Sequence, residues 1–126
     1  MSLTTKKILL VEDHAVTMQI VQYQLDFIGV RNVLTASSAQ EALQIADAES
    51  PDLILMDIVL PDMSGLEATR KLKANPRTRM IPVVAITGRA TREDGELCLE
   101  SGCTGYLPKP VSIQHLKKAI EDVFPT

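Results

Sequence analysis

The 126-residue sequence predicts an α/β fold in which helices cover both faces of a five-stranded parallel sheet. Two observations carry this prediction. Short runs rich in valine, isoleucine and leucine alternate five times with longer segments of helical period, and turn-forming or charged residues bound each run. This alternation is typical of parallel sheets, because two parallel strands need a crossover connection that is usually a helix.

The five apolar runs are short and show no helical period, as expected of buried strands. The third run ends abruptly in Asp57, a carboxylate that is costly to bury without a partner. We therefore expect Asp57 at the carboxyl end of a central strand. The predicted strands are 6–11, 32–36, 52–57, 82–87 and 104–107.

The segments between these runs have helical period. In the second helix, Ser38 and Glu41 have the spacing of a capping box. The fourth helix is the weakest, because Gly95 costs it about 1 kcal/mol relative to alanine, and we expect it to be loosened there. The predicted helices are 15–28, 38–48, 66–74, 91–101 and 112–124.

The first and last helices carry apolar residues at steps of three and four, which predicts a face that packs on the sheet. In the first helix this predicted buried stripe is Val16, Ile20, Tyr23 and Phe27, widened by Val21, Leu25 and Ile28. In the last helix it is Ile113, Leu116, Ile120 and Val123.

Right-handed crossovers leave few topologies for five such units, and we expect the flavodoxin-like, doubly wound order 2-1-3-4-5. The length suits one domain that buries roughly two thirds of its unfolded surface. Residues 6–124 are expected to form this domain. Residues 1–5 are expected to be a leader that is disordered or foreign to the natural protein.

Composition excludes several classes of function. The net charge is −3 and the pI about 5.3, so direct binding to nucleic acid is not expected. No apolar run approaches the roughly 20 residues of a membrane span, and no signal peptide is recognisable. Cys98 and Cys103 lack CxxC spacing and are expected to be reduced thiols, partly in the core and partly in a loop, of a cytoplasmic protein.

Polar groups follow the predicted strands at the carboxyl edge of the sheet, where ligands bind in such folds. The first strand ends in Glu12 and Asp13, the third in Asp57, the fourth in Thr87 and the fifth in Lys109. Three neighbouring carboxylates repel one another and need a cation, and oxygen ligands suit Mg²⁺. With a lysine and a hydroxyl donor nearby, these are the parts needed to transfer a phosphoryl group onto Asp57.

With these residues, the sequence resembles the receiver domain of two-component response regulators, in a form similar to stand-alone chemotaxis receivers. The resemblance extends over about residues 6–124, and the strand order is one known in that family. It implies that Asp57 is the phosphoacceptor, that Lys109 contacts the phosphoryl group and that Thr87 is the switch hydroxyl. Tyr106 matches the aromatic residue whose rotamer follows Thr87. The peptide bond between Lys109 and Pro110 is expected to be cis.

The resemblance also implies a magnesium site. Asp13, Asp57 and the backbone carbonyl of Val59 would bind Mg²⁺, and Glu12 would act through a water molecule. Val59 and Arg89 occupy positions that tune how fast water removes the phosphoryl group in this family.

The partners implied by the resemblance are proteins. A histidine kinase or histidine phosphotransfer protein would donate the phosphoryl group and lie over the carboxyl edge of the sheet and the first helix. Its candidate contacts are His14, Ala15, Met18 and Pro110. A downstream protein would bind the face formed by the fourth helix, fifth strand and fifth helix, and a homodimer is also compatible with the resemblance.

Three alternative functions use similar residues or the same fold. A phosphatase of the haloacid dehalogenase class needs its nucleophile on the first strand and a second Asp two residues later, whereas Glu12-Asp13-His14-Ala15 stands there. A flavin-binding module needs a phosphate loop after the first strand, where the acidic pair would repel phosphate. A receiver-like interaction module that is never phosphorylated stays open, although the intact set of Asp57, Thr87 and Lys109 argues against it.

Overall fold

The structure is a computed structural model and describes residues 3–88 and 91–125. Within these residues five strands and five helices alternate strictly. The elements are β1 Lys7–Val11, α1 Ala15–Phe27, β2 Asn32–Ala36, α2 Ala39–Glu49, β3 Leu53–Asp57, α3 Gly65–Ala74, β4 Val83–Thr87, α4 Arg92–Glu100, β5 Gly105–Pro108 and α5 Ile113–Val123. Of the predicted leader, residues 1 and 2 lie outside the described residues, and Leu3 packs against the core.

The five strands form one sheet in the order β2-β1-β3-β4-β5, and every neighbouring pair is parallel. The predicted fold and strand order are confirmed. Val11 pairs with Met56 and Asp57 with Ile86, so β1, β3 and β4 end side by side. The residues after these strands therefore meet at one edge of the sheet.

Helices cover both faces of the sheet, and each face has its own core cluster. Alternate residues of a strand point to opposite faces, so Ile54 and Met56 lie on one face and Leu53 and Leu55 on the other. The first cluster includes residues of α2, α3 and α4, and the second includes residues of α1 and α5. All five residues of β3 are buried, as its continuous apolar sequence predicts.

Side-chain caps fix the start of four helices. Ser38, Ser64, Thr91 and Ser112 each accept a hydrogen bond from a backbone N–H in the first turn of α2, α3, α4 and α5. The predicted capping box of α2 is only half formed, because the carboxylate of Glu41 accepts from the Ser37 N–H and not from that of Ser38. Helix α4 continues across Gly95.

The buried face predicted for α1 is wrong in part. Val21 and Leu25, which the prediction added to the stripe, are buried toward the sheet, whereas the main stripe faces outward. That stripe consists of Val16, Ile20, Tyr23 and Phe27, which are 68%, 51%, 70% and 69% exposed. The helix has two apolar faces at helical spacing, and periodicity alone does not say which one meets the sheet. The face predicted for α5 is confirmed at Leu116 and Ile120, which are buried. Among the described helices none is long and apolar enough to cross a bilayer.

The two faces of α1 should differ in what they contribute to stability. We expect Leu25→Ala to lower the free energy of unfolding by about 2–5 kcal/mol, because it leaves a cavity beneath the helix. Ile20→Ala, a matched truncation on the exposed face, should cost no more than about 1 kcal/mol. Urea unfolding of both variants measures the difference. Equal losses would contradict the orientation of α1.

Candidate functional site

Three carboxylates meet at the carboxyl edge of the sheet and form what we call the acidic cluster, Glu12, Asp13 and Asp57. One oxygen of each lies within 4.8 Å of the others. Their meeting follows from the sheet, since the acidic pair leaves β1 beside the end of β3. Glu12 and Asp57 are 1% and 2% exposed, whereas Asp13 faces solvent. Two of the three acids are thus withdrawn from water while one remains open to a ligand.

Lys109 reaches into the acidic cluster from the end of β5. Its Nζ lies 3.0 Å from Asp57 Oδ2 and 3.0 Å from Glu12 Oε1. Its backbone N–H donates to the carbonyl of Thr87 at 2.7 Å, which ties the end of β5 to the end of β4. The Lys109–Pro110 peptide bond is cis, as expected. One ammonium group therefore bridges the two buried acids.

Backbone donors hold the remaining oxygens. The Val59 N–H donates to Asp57 Oδ1 at 3.1 Å, and the His14 N–H donates to Glu12 Oε2 at 3.1 Å. Among the described residues, Glu12 Oε1 accepts no hydrogen bond of acceptable geometry, although Lys109 approaches it as an ion pair. The cluster thus keeps lone pairs for a further cationic ligand.

Burial and charge act in opposite directions on this site. Burial raises the pKa of Asp57 to about 6, with Lys109 opposing the shift and Glu12 adding to it. Burial also tends to raise the pKa of Glu12, but the His14 N–H, Asp57 and Lys109 lower it overall. The pKa of Lys109 is raised despite its burial, because it pairs with both acids. Ionising Asp57 beside Glu12 is therefore costly without a further cation.

The residues present fit Mg²⁺. Carboxylate oxygens are hard ligands of the kind that Mg²⁺ binds. Mg²⁺ also keeps several water ligands, and there is room for these on the solvent side of the cluster, where Asp13 is exposed. Fully ionised, the three carboxylates and Lys109 carry a formal charge of −2, which a divalent ion balances. Val59 lies two residues past Asp57 in an exposed loop, and its N–H already positions Asp57.

Thr87 and Tyr106 lie on the neighbouring strands β4 and β5. Thr87 is buried and follows Ile86, the residue that pairs with Asp57. Tyr106 pairs with Ala85 and is 40% exposed. The structure thus brings together the predicted acids, Lys109 and Thr87, with Tyr106 farther along the sheet. Arg89 lies outside the described residues.

Gly65 and Asp62 lie in a segment of turn-forming residues and shape the loop after Asp57. A Cβ on Gly65 would overlap the backbone carbonyl of Asp57 and lie 2.9 Å from the Cα of Ile58, so a glycine is required there. The carboxylate of Asp62 accepts from the N–H groups of Ala39 and Gln40 at 2.9 and 2.8 Å, which lowers its pKa. The residues 61–65, PDMSG, signalled a turn but not these long-range contacts.

Both cysteines are free and buried. Cys98 lies in α4 and Cys103 in the loop after it, as expected, and the loop cysteine is buried as well. Cys103 lies just after α4 and is 5% exposed, because its side chain joins the first core cluster. Burial, with a smaller contribution from Cys98 beside it, raises its pKa to about 11. These thiols are part of the core and not of the acidic cluster.

The raised pKa of Asp57 makes stability depend on pH. Folding raises this pKa from 3.8 to about 6, so the folded state holds a proton that the unfolded state loses. The contribution of Asp57 to stability is therefore full below about pH 4, falls as pH rises to about 6, and stays low above that. Asp57→Asn cannot ionise and escapes this loss.

We compare the unfolding free energies of Asp57→Asn and the unsubstituted protein, with EDTA present. As pH rises from 4.5 to 7.5, this difference should shift in favour of Asp57→Asn by on the order of 1–3 kcal/mol. Urea unfolding at both pH values measures this shift. A constant difference for Asp57→Asn would argue against a raised pKa.

Comparison with known proteins agrees with this geometry. The family model described as the response regulator receiver domain matches residues 8–121. The chain is 39% identical over 117 residues to a polar-differentiation response regulator, DivK, of Brucella ovis, covering 93% of this chain and 94% of that protein. A DivK of Brucella anthropi is 38% identical over 116 residues, with coverages of 92% and 94%.

Solved structures agree as well. The receiver domain of a Pseudomonas aeruginosa sensor histidine kinase, solved with a magnesium ion in its active-site cleft, matches with a TM-score of 0.87 and 33% identity. That match covers 96% of this chain and 98% of that one. A chemotaxis response regulator of Vibrio cholerae matches with a TM-score of 0.88 and 29% identity, covering 95% and 99%. The fold, the acidic cluster and these matches lead to one conclusion: the chain belongs to the receiver-domain family of two-component response regulators.

Proposed function

We propose that this receiver domain takes a phosphoryl group onto Asp57 from a phosphohistidine of a histidine kinase or histidine phosphotransfer protein, with Mg²⁺ as cofactor. One observation carries the proposal. Asp57 ends a buried strand within 4.8 Å of two further acids and 3.0 Å from Lys109, so an acid nucleophile, a cation site and a mobile positive charge coincide. The protein would work in the cytoplasm, where such kinases present their phosphohistidines.

Asp13, Asp57 and the carbonyl of Val59 would hold Mg²⁺, and Glu12 would contact it through a water. The meeting of three carboxylates, with one oxygen of each within 4.8 Å of the others, supports a cation here. So does the magnesium ion in the Pseudomonas aeruginosa receiver domain. When bound, Mg²⁺ neutralises charge on the phosphoryl oxygens.

In the transfer, a carboxylate oxygen of Asp57 attacks phosphorus as the phosphorus–nitrogen bond to the partner's histidine breaks. The new phosphorus–oxygen bond makes an acyl phosphate, and the imidazole keeps the electron pair and takes up a proton from solvent. Lys109 now forms an ion pair with the Asp57 carboxylate. After the transfer it forms an ion pair with the phosphoryl oxygens instead. Hydrolysis by water later restores Asp57. The domain therefore catalyses only its own phosphorylation and dephosphorylation.

Phosphorylation would act on the rest of the molecule through Thr87 and Tyr106. The phosphoryl group adds about −1.5 to −2 charge and new acceptor oxygens, toward which the Thr87 hydroxyl turns. Tyr106 then moves into the space that Thr87 leaves. Beside Tyr106, a groove of about 400 Å³ between β5 and α5, also lined by Pro108 and His115, offers a downstream protein a site that the ring controls.

The donor protein would dock along α1. The exposed stripe Val16, Ile20, Tyr23 and Phe27 begins at the helix end that lies next to the acidic cluster, and a stripe of this size marks an interaction surface. A groove of about 310 Å³ between Ile20 and Pro110 connects the stripe with Lys109. His14, Ala15 and Pro110 are exposed at this end of the sheet, and Met18 is half-buried.

We expect incubation with Mg²⁺ and phosphoramidate to add one phosphoryl group, seen as a mass increase of about 80 Da, the mass of one HPO₃ unit. Asp57→Asn should abolish it because the nucleophile is lost, and EDTA should abolish it by removing the metal. Asp52→Asn should be modified normally. Uptake by Asp57→Asn would show that a residue other than Asp57 is the acceptor. No uptake by the unsubstituted protein would support the alternative in which the module is never phosphorylated.

The docking face predicts different responses to different donors. Ile20→Ala should slow transfer from a phosphohistidine protein about tenfold or more, because it removes apolar contact from the interface. The rate with phosphoramidate should not change, since that donor needs no docking. Rapid-quench assays with both donors measure this. Leu99→Ala, an exposed apolar truncation on α4, is the control; equal slowing by both would refute docking along α1.

A further inference from the structure

Gly95 lies against the ring of Tyr106. It is the fourth residue of α4, and its N–H donates to the Thr91 carbonyl at 3.1 Å. A Cβ built on Gly95 would lie 2.9 Å from Tyr106 Cε1 and 3.2 Å from both Cζ and the hydroxyl oxygen. Real Cβ atoms essentially never approach other atoms as closely as 2.9 Å. The present position of the ring therefore requires that residue 95 has no side chain.

If residue 95 gained a side chain, the ring would move and the helix would not. Thr91 caps α4 by accepting from the Asp94 N–H at 3.1 Å, and Cys98 anchors the same helix in the core at 0% exposure. Tyr106 stands on the edge strand β5 and is 40% exposed, so its ring is the free end of a side chain with two rotatable bonds. The atoms in conflict all belong to this ring.

We propose that Gly95 is a positioning residue for the switch. It lets Tyr106 lie across α4 in the unphosphorylated protein, and a side chain at 95 displaces the ring toward Thr87, its position when Asp57 is phosphorylated. This inference rests on the proposed function. It also explains why a glycine stands inside a helix, where it costs about 1 kcal/mol relative to alanine.

The contact between Gly95 and Tyr106 should affect ligand affinity, because conformation and binding are thermodynamically linked. A substitution that raises the population of one conformation also raises the affinity of any ligand that prefers it. Beryllofluoride, a stable mimic of a phosphoryl group on a carboxylate, should therefore bind Gly95→Ala more tightly in the presence of Mg²⁺. We expect a gain of about threefold to thirtyfold, the size of a modest coupling between sites.

The ring itself can be observed, because the protein has only two tyrosines and no tryptophan. With 3-fluorotyrosine incorporated, Tyr23→Phe assigns the remaining ¹⁹F resonance to Tyr106. In Gly95→Ala without beryllofluoride, this resonance should lie shifted toward the position that beryllofluoride produces in the unsubstituted protein. A Tyr106 resonance identical in the two proteins would overturn the proposal.

A double-mutant cycle separates the ring contact from helix stability. Alanine at 95 also stabilises α4, but the tighter beryllofluoride binding should vanish in the Tyr106→Ala background if it acts through the ring. Persistence of the gain there would overturn the proposal. Gly105→Ala adds a methyl group on the opposite face of β5 from Tyr106, where no atom outside its two chain neighbours lies within 4 Å, so it should leave both the resonance and the affinity unchanged.

The outcome for the unsubstituted protein keeps the two proposals apart. If it binds no beryllofluoride with Mg²⁺ and takes no phosphoryl group, the proposed function fails, whatever residue 95 does. If it binds beryllofluoride and Tyr106 responds, but Gly95→Ala neither shifts the resonance nor tightens binding, the role of Gly95 fails alone.

Discussion

The arrangement of this molecule depends on the contact of Lys109 with two buried acids. Glu12 and Asp57 end neighbouring central strands, and each would be costly to bury in ionised form without a counterion. Lys109 meets both at 3.0 Å from the end of β5. Removing one partner of a buried ion pair typically costs about 3–5 kcal/mol, so this bridge ties three strands together. It also leaves the cluster short of positive charge, which favours a divalent ligand.

The loop after Asp57 is fixed by contacts that serve the same cluster. Gly65 lies so close to the Asp57 carbonyl that only glycine fits, and its N–H donates to the Ile58 carbonyl at 2.7 Å. Asp62 caps the start of α2 from the same loop. The loop thus has both ends tied to the fold, which keeps the Val59 N–H on Asp57 Oδ1. A preorganised carboxylate would need less rearrangement in the phosphoryl transfer that we propose.

The two outer surfaces of the domain have different chemistry. Helix α1 presents a long apolar stripe beside the acidic cluster, suited to a protein that must reach Asp57. At the edge of the sheet formed by β5, Tyr106 lies against Gly95 and borders a groove beside α5. In the proposed function, a change at Asp57 would reach the second surface through β4 and β5, the two paired strands that carry Thr87 and Tyr106. Donor and target would therefore meet the domain at separate places.

The sequence by itself determined the fold and most of the site, because both follow from local pattern. Five apolar runs alternating with helices specify a parallel sheet, and its topology places Asp57, Thr87 and Lys109 at one edge. The tertiary structure decided which face of α1 meets the sheet, since that helix has two apolar stripes and only packing on β-strands selects Val21 and Leu25. It also decided the contacts of Gly65, Asp62 and Gly95, because each joins residues distant in sequence, and no local pattern encodes such distances.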